Sequence, residues 1–182
     1  MREYATQMEA ARKGIITPEM KIVAKKEYRT EEEIREWVAK GQVAICANRL
    51  HTCIDPNGVG SMLRTKINVN LGVSRDCKDY DVEMKKVQAA VDMGAEAIMD
   101  LSSHGNTQPF RRKLTSECTA MIGTVPVYDS VIHYQRDLAT LTAKDFIDVV
   151  RLVDMQMLQV QVLLMSLIRL LRQLKMQTSL VL

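Results

Sequence analysis

Glycine, proline, cysteine and aromatic residues are all scarce in this 182-residue chain, which has 8 Gly, 4 Pro, 4 Cys, 1 Trp, 5 Tyr and 2 Phe. So little Gly and Pro excludes collagen-like and Pro/Gly-rich low-complexity architectures. A 47% hydrophobic and 26% charged composition excludes intrinsic disorder. The cysteines, Cys46, Cys53, Cys77 and Cys118, form no C-x-x-C pair, so neither a zinc ribbon nor a complete iron–sulfur motif is present. Each reads most simply as a small, half-buried apolar residue. The N-terminal stretch MREYATQMEAARKG is charged and has no apolar signal core, so a cytoplasmic protein with reduced thiols is expected. The longest charge-free run, 155–168, holds Gln and Ser and falls short of the ~20 residues of a transmembrane helix.

An excess of either charge is missing as well. The 25 Lys and Arg nearly balance the 22 Asp and Glu, for a net +3. That excess sits in residues 151–182, where Arg151, Arg169, Arg172 and Lys175 face Asp154 alone. A neutral body with few aromatics lacks the basic face that nucleic-acid binding requires. At roughly 150 residues per domain the chain makes a little more than one domain. It is shorter than the ~250 residues of a complete (β/α)8 barrel.

What is present begins with helices. Thr17-Pro18-Glu19 places a cap, a first-turn proline and an acid at a helix start. Thr30 and Glu33 form a capping box for a second helix, which buries Ile34, Trp37 and Val38 and ends near Gly41. Residues 1–40 therefore read as a helical segment. The period then changes: strands are predicted at 43–48, 66–70 and 97–101, and 121–128 reads as a strand and its exit. Helices are predicted at 79–93, 110–118 and 142–152. The alternation gives an α/β fold of parallel βα units over 41–152.

The strand ends recur evenly, with Asn70, Met99 and Tyr128 spaced 29 residues apart. In barrels and open α/β sheets, ligands gather where the C-terminal strand ends converge. Position alone makes these three residues candidates for one pocket, against simpler roles in core and turn. Asn70 both donates and accepts hydrogen bonds, Met99 offers a polarisable surface, and Tyr128 offers a ring face and a hydroxyl. None supplies an acid or base titrating near pH 7.

Four stretches, TQMEAARKGIITPEM (6–20), LRTKINVNLGVS (63–74), AEAIMDLSS (95–103) and MIGTVPVYDSV (121–131), together resemble the phosphomethylpyrimidine synthase family of thiamine biosynthesis. The related hydroxybenzimidazole synthases of anaerobic cobamide biosynthesis share the pattern. The likeness covers about residues 5–152. It implies a (β/α)8 barrel, here the N-terminal part of one, acting on aminoimidazole ribonucleotide to give hydroxymethylpyrimidine phosphate. It also implies S-adenosylmethionine, a [4Fe–4S] cluster held by a C-terminal C-x-x-C-x-x-x-x-C motif, a metal taken as zinc on two later histidines, and a homodimer. The family's early substrate-binding positions fall on Asn70, Met99 and Tyr128, the residues that the spacing selects. Asn48 and His51 follow the first strand as possible pocket residues, in a segment where Cys46 and Leu50 depart from the family's A-I-P-A-N-x-N-H. Asp100 and Ser102 stand at the mouth of the next strand and are further pocket candidates. His104 reads as a loop residue. Arg64 and Lys66 offer charge to a phosphate, with a solvated strand face as the simpler reading.

The resemblance stops near Leu152, where the family continues close to H-A-E-D-G-V-D-F. From 153 the chain becomes a Leu/Met/Gln-rich tail without Gly or Pro. The expectation is a lost reading frame, with a partner-binding or membrane-surface amphipathic helix as the alternative. Without the cluster motif and the family's metal-binding histidines, this chain alone is expected to have no synthase activity and to bind none of these cofactors. The rival from another class is a noncatalytic interaction protein that uses the tail.

Overall fold

A computed structural model describes residues 3–48 and 51–157. Three helices come first: α1 (Gln7–Arg12), α2 (Pro18–Glu27) and α3 (Glu31–Ala39). Each starts at a threonine whose hydroxyl accepts a backbone N–H of the first turn: Thr6 from Glu9, Thr17 from Met20 and Thr30 from Glu33. The expected capping box is complete, because the Glu33 carboxylate reaches back to the Thr30 N–H at 2.9 Å. These helices bury Ala11, Met20, Val23, Ala24, Ile34 and Val38 against Val43 and Ile45 of β1 (Val43–Cys46).

Strand β1 departs from expectation. It pairs antiparallel with β2 (Asn57–Gly60), with Cys46 opposite Asn57, and so forms a hairpin-like sheet outside the parallel one. The turn-rich stretch after β1 brings the chain straight back. A parallel partner would have needed a crossover of a dozen or more residues.

The parallel sheet is β3 (Asn68–Leu71), β4 (Ala97–Asp100) and β5 (Met121–Thr124), in that order. Helices α4 (Tyr80–Asp92) and α5 (Gln108–Glu117) form its two crossovers. Asn70 sits opposite Met99, and Met99 opposite Gly123. Because strand side chains alternate between faces, Val69, Leu71, Ile98 and Ile122 meet Val87, Ala90, Phe110 and Leu114 of the helices. The opposite face carries Asn68, Asn70, Ala97, Met99, Met121 and Gly123. Beyond β5 come α6 (Pro126–Tyr134), a 3₁₀ turn (Leu138–Thr140) and α7 (Ala143–Met157). Val149 and Val153 of α7 pack on Ile122 and Tyr134. The result is a mixed α/β fold with two small sheets, and the strands described close no barrel. No helix among the described residues is long and apolar enough to cross a membrane. The tail expectations, apart from the α7 backbone to Met157, fall outside the described residues.

Ion pairs join the helical segment to the sheet. The Glu27 carboxylate, 1% exposed, meets the Lys66 ammonium and accepts the Arg64 N–H at 2.8 Å, while Arg64 Nη2 reaches Glu96 Oε1 at 3.2 Å. Lys66 is thus engaged internally instead of lying on a solvated face. Burial pushes the Glu27 carboxyl up, but the Lys66 hydrogen bond, the Arg64 N–H and both positive charges outweigh it and hold the group below its ordinary 4.5. A carboxylate with a lowered folded-state pKa stabilises the fold above its unfolded value, and that contribution is lost as pH falls through the folded one. Thermal melts should therefore show the wild-type chain losing part of its margin over Glu27→Gln as pH drops below 4.5.

Candidate functional site

The C-terminal ends of β3 and β4 hold Asn70, Met99 and Asp100, three of the residues that the sequence points to. Asn70 and Met99 are register partners on one face of neighbouring strands. Asn70 is exposed, and its Oδ1 accepts the Asn68 Nδ2–H at 2.9 Å, which fixes the orientation of the amide. Met99 is half-buried and lies across Gly123, where an added Cβ would come 2.9 Å from Sδ and 3.0 Å from Cε. The glycine is what leaves room for the thioether over β5.

Tyr128 is not on a strand exit. The chain turns at Val125, Pro126 takes a first-turn helical position, and Tyr128 falls in the first turn of α6 with 41% exposure. The 29-residue spacing therefore matches sheet register between Asn70 and Met99 and then fails, because the register partner of Met99 is Gly123.

Asp100 and Ser102 point to the other side of the sheet. Both are buried, and Asp100 Oδ1 accepts the Ser102 N–H at 2.9 Å. Ser102 Oγ in turn accepts the Val73 N–H at 3.1 Å, tying the exit of β4 to that of β3. Asp100 Oδ2 accepts from Nε of Arg111 at 2.7 Å, and Arg111 Nη1 lies 2.8 Å from Asp129 Oδ1. Burial opposes the Arg111 charge, but Asp129 and Asp100 more than offset it. Burial raises the Asp129 carboxyl, and the nearby guanidinium only partly counters that. Arg111 Nη2 and Thr124 Oγ1 are buried without a hydrogen-bond partner among the described residues.

His51 is also buried, yet it lies elsewhere. Its Nε2 is 2.5 Å from the carbonyl of Cys118, just before β5 begins, so it sits at the N-terminal strand ends, opposite the mouth. Burial lowers its pKa, and the Cys118 carbonyl acts against that. Asn48 follows β1, outside the parallel sheet. The structure thus gathers Asn70 and Met99 on one face with Tyr128 just beyond β5, and leaves His51 apart. Arg111, Asp129 and Gly123 were not legible as site residues. Arg111 stands in the charged run Arg111-Arg112-Lys113, and nothing local marks it as the buried one.

Among the described residues the donor set does not suit the implied cluster or metal. Burial pushes the Cys46 and Cys118 thiols up, against the thiolates that a cluster needs. Among the described residues no three His, Cys, Asp or Glu side chains converge to hold a metal ion. No step is therefore derived through either group.

Comparison with known proteins agrees with the motifs that frame this face. Phosphomethylpyrimidine synthase of Alkaliphilus oremlandii is 60% identical over 149 residues, covering 82% of this chain and 34% of its own length. The synthase of Clostridioides difficile is 55% identical over 148 residues, 81% and 34% of the two chains. That of Clostridium botulinum is 55% identical over 146 residues, 80% and 33%. The chain spans about a third of the length of the curated relatives it matches. With residues 6–163 also matching the family model described as "Radical SAM ThiC family", the chain belongs to that family.

Proposed function

We propose that this chain supplies one wall of the substrate site of a phosphomethylpyrimidine synthase, the enzyme that makes hydroxymethylpyrimidine phosphate from aminoimidazole ribonucleotide. The observation that carries the reading is the shared register and face of Asn70 and Met99 beside the Tyr128 turn, within a stretch 60% identical to a synthase of that name. Asn70 hydrogen-bonds the aminoimidazole or a ribose hydroxyl, Met99 packs on the flat ring, and Tyr128 closes the edge with ring and hydroxyl. These side chains bind and orient, so their contribution is positioning rather than proton transfer. The radical chemistry implied by the family, with its S-adenosylmethionine and iron–sulfur cluster, is assigned to the two thirds of the relatives outside this stretch. The hydroxybenzimidazole synthase reading has no feature among the described residues in its favour, and the relatives compared above are named phosphomethylpyrimidine synthase.

The test is a graft. Residues 6–152 of this chain replace the matched stretch of the A. oremlandii synthase, and the cluster-reconstituted protein is assayed for hydroxymethylpyrimidine phosphate. Turnover comparable to the parent is expected, and a folded graft with no product would refute the proposal. Within the graft, Gly123→Ala should displace the Met99 thioether, the flexible end of a side chain, while the backbone stays in place. The expected outcome is about 10-fold weaker substrate binding with little change in melting temperature, read by calorimetry and a thermal scan.

A further inference from the structure

Met99 and Tyr128 are each followed by an aspartate, and both aspartates reach the same arginine. Asp100 is 0% exposed and Asp129 6%, and Arg111, 0% exposed, lies between them from the first turn of α5. On β4, alternation means that drawing Asp100 toward the helices turns Met99 to the opposite face. On α6, drawing Asp129 inward leaves Tyr128, one residue earlier and about 100° round the helix, at the surface beside the mouth. The bonds continue from Asp100 through Ser102 to Val73 beyond β3, the strand that carries Asn70. A planar guanidinium presents a wide, rigid fork of donors to two carboxylates on different elements, whereas a lysine offers a compact ammonium whose donors fix neither their separation nor their plane.

We infer that Arg111 is a positioning residue: by bridging Asp100 and Asp129 it sets the separation and orientation of Met99 and Tyr128. The substrate role of those two residues rests on the proposed function, but the geometric link does not. Arg111 touches no substrate in this account and acts only through its two partners.

The experiment uses the full 182-residue chain labelled with ¹³C at methionine methyls and tyrosine rings. Arg111→Lys should keep a cooperative melt and shift both the Met99 methyl and the Tyr128 ring signals. Met20, buried in the separate helical core, serves as the unmoved reference. Asp129→Asn should shift Tyr128 and leave Met99 in place. A guanidinium that served only to balance buried charge would be rescued by lysine, and unchanged Met99 and Tyr128 signals in folded Arg111→Lys would overturn the inference. If Arg111→Lys does not fold, Asp129→Asn decides: an unmoved Tyr128 overturns the inference, and a moved one upholds it. Aminoimidazole ribonucleotide is then titrated into the grafted synthase with and without Arg111→Lys, and binding weakened about 10-fold or more in the variant supports the inference together with its functional basis. Signals that move in Arg111→Lys while even the unsubstituted graft ignores the ribonucleotide would leave the link standing and defeat the substrate reading.

Discussion

Replacing Asp100 by alanine is expected to destabilise the fold by about 3–5 kcal/mol, the typical cost of removing one member of a buried ion pair. The side chains concerned are 1% exposed on Arg111 and 0% on Asp100, so the pair is shut off from bulk solvent. Alanine leaves the Arg111 Nε–H unsatisfied and also removes the acceptor of the Ser102 N–H. Asp129 remains as the only ion-pair partner of Arg111 among the described residues, and its own carboxyl is already pushed up by burial. For a chain of this size the loss corresponds to a fall of roughly 10 °C in melting temperature. Replacement of the whole triad by apolar residues of similar volume, Asp100→Leu and Asp129→Leu with Arg111→Met, should cost less than Asp100→Ala alone, because no charge is then stranded. Thermal scans of the single and triple variants check both statements.

Gly72→Ala should cost about 2–5 kcal/mol, combining backbone strain with a clash that nothing can relieve. Gly72 leaves β3 at φ +137°, a conformation that L residues rarely adopt, and an added Cβ would lie 2.5 Å from the Ser102 nitrogen and 2.9 Å from the Leu101 carbonyl carbon. These neighbours are backbone atoms of the β4 exit, which itself bonds back to β3 through the Leu101 N–H and the Leu71 carbonyl at 2.7 Å. The Gly72 N–H also donates to the buried Glu83 carboxylate at 2.9 Å. Gly94 is the control: its φ is +87° and no atom lies within 4 Å of an added Cβ. Gly94→Ala should cost only about 1–2 kcal/mol, the left-handed strain alone. Denaturant titrations of the two variants would separate strain from clash, and equal losses would contradict this view of Gly72.

How much of this was legible in the sequence depended on the range of the interactions. Helix starts were readable because a cap is satisfied within three residues, as Thr30 and Glu33 show. Register between Asn70 and Met99 was readable because equal βα units repeat. The path of β1 was not, since the NGVG of β2 is short, rich in glycine and indistinguishable from the turn before it. The region around Tyr128 misled for a different reason. The apolar run MIGTVPVY suits a strand, and only the helical role of Pro126 divides it. Arg111 was out of reach altogether, because its burial is decided by acids on β4 and α6 that no local pattern connects to α5. Asp100 and Ser102 drew attention as mouth residues, and the structure gives them buried partners on the helix side.

The most direct measurement of the central claim is the KM for aminoimidazole ribonucleotide of the grafted synthase carrying Asn70→Ala. Tyr28→Ala, at a residue 91% exposed on the helical segment, serves as the reference. Losing a hydrogen bond worth about 1–3 kcal/mol should raise KM by roughly 10- to 100-fold while the melting temperature holds, and Tyr28→Ala should change neither. An Asn70→Ala graft with parental KM and turnover would contradict the assignment of this strand-end face as the substrate wall.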